Sequence, residues 1–183
     1  MTFKKIAITG TLAVATATMA LSVATAADGP FGGKDDIAFA QTLWATMMSE
    51  RLVGPNRIHV QPFEGNEPHG AIQQVLGTDI SINGRTAKVI VKVNHGGPDV
   101  DVPAVYDNPN QFVGAYTVMF KREDGYDPEN QNWFWAKYKP TGELDLNPKG
   151  AAIAGRFMKG ADVGCIACHT AIGGADLETL TSK

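Results

Sequence analysis

Apolar and polar positions repeat with two different periods along the chain. From Asp35 or Asp36 to about Leu52 the apolar residues Ile37, Ala40, Leu43, Trp44, Met47 and Met48 fall on one face at helical spacing. The two aspartates suit the positive end of a helix dipole, and Gly54-Pro55 should end the helix. Met47 and Met48 then read as core residues rather than metal ligands. Further on the period becomes two. GTDISINGRTAKVIVKV holds two β-type runs around Asn83-Gly84, which predicts a tight hairpin. In its second run Val89, Val91 and Val93 share one face, and Lys88, Ile90 and Lys92 share the other. QFVGAYTVMFK predicts a third strand, with Phe112, Tyr116, Val118 and Phe120 on one face and Met119 on the other. NWFWAKYKP predicts a fourth, stopped at Pro140 and Gly142. RIHVQPF, 57–63, reads as one more strand, and 151–164 as a short helix and turn leading to Cys165. The order predicts an α+β fold: a curved antiparallel β-sheet with an N-terminal helix and a C-terminal attachment segment.

The first residues belong outside this pattern. Lys4 and Lys5 precede an uncharged, mostly apolar run from Ile6 to Val23, and Ala24-Thr25-Ala26 offers an A-x-A cleavage site. Residues 1–26 therefore read as a secretory signal peptide, with residues 27–183 as one exported, periplasmic domain. The run is too short and too rich in Ala and Thr for a spanning helix, so no membrane association is expected after cleavage. Losing Lys4 and Lys5 moves the formal net charge from −3 to −5. With no basic run to neutralise phosphates, nucleic acid is excluded as a partner.

Both cysteines of the chain lie in GCIACHT, 164–170. Cys165-Ile166-Ala167-Cys168-His169 is C-x-x-C-H, the attachment signature for c-type haem. Two intervening residues let one helical turn present both thiols to the two vinyl groups of a porphyrin. His169 then lies under the iron as an axial ligand. The alternatives carry less. A disulfide across so small a loop constrains the unfolded chain little. A zinc site normally needs four ligands. A redox pair of the thioredoxin type normally opens a βαβ pattern, not the end of an antiparallel chain.

Residues 34 to 172 resemble the cytochrome P-460 family. LVGPNRI (52–58), VIVKVNHGG (89–97), TVMFKREDGYDPENQNWFWAKY (117–138), LDLNPKGAAIAGR (144–156) and GCIACH (164–169) carry the resemblance. It implies a mostly β domain with one haem c and a five-coordinate, high-spin iron open on its distal side. The family includes cytochrome c′-beta, which shares the fold. Lys92 looks like the strand lysine that bonds to a haem meso carbon in P-460 proteins and is absent as a cross-link in the cytochrome c′-beta branch. Hydroxylamine-oxidising members carry a glutamate over the iron, and the matching position here is Phe120. A phenyl ring cannot take a proton, so the expectation moves toward binding of a small ligand such as nitric oxide rather than oxidation of hydroxylamine. The tail ADLETLTSK also departs from the aromatic-containing ending of the family.

A sixth ligand would instead give a low-spin electron carrier with a redox partner protein. His95, close to Lys92, is the first candidate, with His59 and His69 behind it, and Met158 falls on the proximal side. The aromatics Phe112, Tyr116, Phe120, Trp133, Phe134, Trp135 and Tyr138 read mainly as sheet core. Analogy with the family adds a homodimer.

Overall fold

The computed structural model describes residues 31–66, 68–172 and 177–178. The expected signal peptide, 1–26, lies outside them. The elements run α1 (Lys34–Ser49), β1 (Phe63–Glu64), β2 (Ile72–Ile82), β3 (Arg85–His95), α2 (Val102–Asp107), β4 (Val113–Lys121), β5 (Trp133–Tyr138), β6 (Ala154–Gly155) and α3 (Cys165–Ile172), with one 3-10 turn at Pro128–Asn130. The six strands form one open antiparallel sheet in sequence order. The fold is thus α+β. No helix among the described residues is long and apolar enough to cross a membrane.

The β2–β3 hairpin turns at Asn83 and Gly84, both at positive φ (51° and 78°), which is what a two-residue turn matching the twist of its strands requires. From there the alternation assigns the two faces. On one, Val89, Phe120 and Phe134 lie in register across β3, β4 and β5, as do Val93, Tyr116 and Tyr138. This face packs on Ala40, Leu43 and Met47 of α1. Tyr138 anchors the contact by donating its hydroxyl to the Ala40 carbonyl, 2.8 Å away. On the other face, Ile90, Met119 and Trp135 form one row, and Lys92, Thr117 and Lys137 the next. The C-terminal segment covers it with Phe157, Ile166 and Leu177. Buried apolar residues on both faces make β3–β5 the centre of the fold.

Three expectations are corrected. Helix α1 ends at Ser49, not near Leu52. Arg51 turns left-handed (φ 59°), the Leu52 N–H donates back to Met47 and the Arg51 N–H to Met48, so a Schellman motif closes the helix before Gly54-Pro55. Residues 57–62 form no strand, because pairing on that side starts only at Phe63 opposite Gln73. The run 151–164 is not helical. Its Ala154–Gly155 pair adds a last strand to β5, and Gly155, Met158, Gly160 and Gly164 all take positive φ, which breaks a helix. Helix α2 was not expected, although Asp101 caps it with an Oδ1 that accepts from the Ala104 N–H at 2.7 Å, and Pro103 stands in its first turn.

Candidate cofactor site

A cavity of about 560 Å³ lies between the α3 side of the sheet and the C-terminal segment. That size suits a cofactor or a drug-sized ligand. Ile90, Met119, Trp135, Ile153 and Phe157 supply an apolar wall, and Cys165, Cys168 and His169 of α3 supply the other side. Lys92 and His69 also border it. Sheet register explains the wall: Ile90, Met119 and Trp135 are direct partners on three adjacent strands, so their side chains leave the sheet in the same direction.

Helix α3 begins at Cys165, directly after Gly164 (φ 111°). A Cβ at Gly164 would sit 2.8 Å from the Met158 sulfur, so this turn takes glycine for both its backbone angle and its space. One helical turn then carries both thiols and the imidazole. Burial pushes the Cys165 thiol up to about 11, with its own backbone hydrogen bond opposing the rise. A protonated, half-buried thiol is the opposite of the activated thiolate a dithiol redox centre uses.

His169 is buried (4 % exposed) and its Nδ1 lies 2.7 Å from the Leu177 carbonyl. A carbonyl only accepts, so the neutral ring carries its proton on Nδ1 and leaves the Nε2 lone pair open. The Trp135 ring packs edge-on at 4.8 Å. Burial lowers the His169 pKa; the Leu177 bond opposes this and the Lys92 charge reinforces it. The imidazole is therefore neutral at neutral pH.

Lys92 is buried on the cavity face, opposite Thr117 in register. Burial lowers its pKa, with Cys168 acting the other way. The alternation that put Lys92 opposite the valines is the observed one. Phe120 is the correction. It packs on Phe39 of α1, ring centroids 5.6 Å apart, on the face turned away from the thiols. Met119, expected to point away, lines the cavity instead. The cause is the pleat: neighbouring residues on β4 face opposite sides, and the C-terminal segment covers the Met119 side.

The histidines divide in the same way. His95 is fully buried on the α1 side of the sheet, its Nε2 3.1 Å from Gln74 Oε1, which also accepts from Arg57. It does not border the cavity, so its place as first distal candidate is withdrawn. His59 is exposed in the segment before β1. His69, which lies in the loop EPHG and ranked behind His95 as a sixth ligand, borders the cavity 6.1 Å from the His169 ring. Its Nδ1 lies 3.2 Å from the Thr117 hydroxyl, and burial, aided by the Lys92 and His169 charges, lowers its pKa to about 4. Trp135 was read as core, yet its indole nitrogen is buried at the cavity wall with no hydrogen-bond partner among the described residues. A buried unpaired donor is costly, and a bound polar group would relieve it.

These features fit a covalently held haem: an apolar slot, two thiols one turn apart, an imidazole with its Nε2 free, and an orphaned donor in the wall. Among protein-family models, curated proteins and solved structures, none matches this chain.

Proposed function

We propose that the protein is an exported, periplasmic mono-haem cytochrome of P-460 type that binds small nitrogen oxides. The observation that carries this reading is the convergence of Cys165, Cys168 and His169 on one apolar cavity, with His169 held by the Leu177 carbonyl in the tautomer that frees Nε2. Cys165 and Cys168 would hold haem c through thioether bonds, and His169 would supply a nitrogen ligand to its iron. When bound, the iron supplies the ligand-binding and redox chemistry, and the chain tunes it by ligand basicity, burial and polarity.

The chain's own part follows from its chemistry. The Leu177 carbonyl raises the basicity of His169 and fixes its ring. Ile90, Met119, Trp135 and Phe157 exclude water, so uncharged ligands such as nitric oxide are favoured over anions. Among the described residues, no carboxylate stands among the groups that border the cavity except Asp162, beside the attachment helix. The general base for hydroxylamine oxidation would then be Asp162, beside the attachment helix, or His69, which lacks a carboxylate partner among its hydrogen bonds. Ligand binding or detoxification is thus favoured over turnover of hydroxylamine. Lys92 carries the P-460 cross-link in this reading, since burial favours the uncharged amine beside the ring.

Electron transfer is the second reading, and the closeness of His69 to His169 favours it. Titrating the reduced protein with nitric oxide, then assaying hydroxylamine consumption with an artificial electron acceptor, separates the two. Saturable nitric oxide binding with little hydroxylamine turnover is expected. An iron that takes up no nitric oxide in either oxidation state would overturn the ligand-binding reading.

A further inference from the structure

Two imidazoles from distant parts of the chain meet at the cavity. His69 lies in the loop between β1 and β2, and His169 on α3. Their ring centroids are 6.1 Å apart with planes at 88°. Imidazole nitrogen–metal bonds are about 2 Å long, so rings at this spacing can reach one ion from opposite sides.

Each ring is also held from behind. His169 donates its Nδ1 proton to Leu177. The Nδ1 of His69 meets Thr117 Oγ1 at 3.2 Å, and the Asn94 amide meets the same oxygen at 3.2 Å. A hydroxyl oxygen has two lone pairs and can accept both. With the proton on Nδ1, His69 presents an open Nε2, the arrangement found when the second nitrogen of a metal-bound imidazole donates outward. Thr117 and Asn94 sit on adjacent β-strands, so this support is rigid. His69 itself is on a turn, its N–H donating to the Asn66 carbonyl, and it is only partly buried.

We infer that His69 is a displaceable sixth ligand of the iron, opposite His169, which an entering ligand must push aside. This rests on the haem reading above. It changes the resting state that the P-460 resemblance implies, from five-coordinate and open to six-coordinate and closed. The asymmetry of the two supports decides which imidazole leaves: His169 is tethered on the helix that carries both cysteines, and His69 sits on a loop.

The test uses the exported wild-type protein with His69→Ala and Thr117→Val variants. Haem content is measured first, as a denatured haemochrome. Absorption and electron paramagnetic resonance spectra of the ferric forms follow. The expected result is a low-spin wild type and a high-spin His69→Ala protein with equal covalent haem, and a mixture of spin states in Thr117→Val. Carbon monoxide binding to the reduced wild type should level off in rate at high concentration, where departure of His69 limits it, and rise linearly in His69→Ala. A high-spin ferric wild type overturns the inference without any variant, so a failure of His69→Ala to fold does not shelter it. A low-spin spectrum that survives His69→Ala also overturns it and turns attention to Met119. In both of those cases the haem remains and the proposed function stands. A wild type without covalent haem sinks both.

Discussion

His169 and Leu177 are joined by a hydrogen bond of 2.7 Å from the ring Nδ1 to a main-chain carbonyl. The bond spans only eight residues, yet it gives the imidazole its tautomer and adds electron density to the opposite nitrogen. With the proposed haem bound, a more basic His169 would stabilise the oxidised iron. Ending the chain after Ile172 removes the acceptor and keeps the whole C-x-x-C-H turn. The midpoint potential of the truncated protein should rise while its covalent haem content stays the same, as a redox titration would report. An unchanged potential would show that Leu177 does not tune the iron.

Phe120 provides a control for the assignment of faces. It is buried against Phe39 on the α1 side of the sheet. Phe120→Leu should cost on the order of 1–2 kcal/mol of stability in urea unfolding, because it loosens a packed core. The visible spectrum and the ligand-binding rates should stay as in the wild type. A shifted spectrum would place Phe120 at the cofactor after all.

His95 predicts an acid-sensitive fold. Burial, reinforced by the Arg57 and His59 charges, holds its pKa at about 4, below the ordinary value of 6.5. Its Nε2 donates to Gln74 and its Nδ1 is buried without a partner among the described residues, so a second proton would be buried unpaired. The unfolded chain binds that proton more readily than the folded one. Stability contributed by neutral His95 is therefore present above about pH 6.5 and lost as the pH falls through about 4. The loss is about 3 kcal/mol at roughly 1.4 kcal/mol per pKa unit. His95→Gln should lessen the loss of stability between pH 6.5 and 4 in denaturant titrations.

Lys92 separates the two branches of the resemblance. If its amine is bonded to the ring, the wild type gives an abnormal haemochrome with a red-shifted reduced band, and Lys92→Ala restores an ordinary one. That is the outcome the P-460 reading predicts for an amine that burial holds below its usual pKa at the cavity wall. An ordinary haemochrome in the wild type, unchanged by the substitution, removes the cross-link.

The parts of this fold legible in the sequence are those written in local chemistry. Asn83-Gly84 announced its hairpin because both residues accept positive φ, and strict alternation from Lys88 to Val93 sorted the side chains into two sets. Alternation could not say which set faces the attachment helix. Val89 and Phe120 on one side are as apolar as Ile90, Met119 and Trp135 on the other, and only tertiary packing decides which side receives α1. Phe120 was misplaced for that reason. His69 was ranked behind His95 because a loop has no periodicity to aim a side chain. The hydroxyl that holds it, Thr117, lies 48 residues away. The C-x-x-C-H residues could be singled out by spacing alone, and the structure puts Cys165, Cys168 and His169 on one helix.

The central claim is a covalent haem on Cys165 and Cys168. The most direct measurement is the intact mass of the exported protein, made in a host with haem-attachment machinery, alongside its pyridine haemochrome. One haem per chain, retained after denaturation and lost in a Cys165→Ala, Cys168→Ala double variant, is the predicted result. A colourless wild-type protein whose mass is that of the polypeptide alone, or of that polypeptide with a Cys165–Cys168 disulfide, would contradict it.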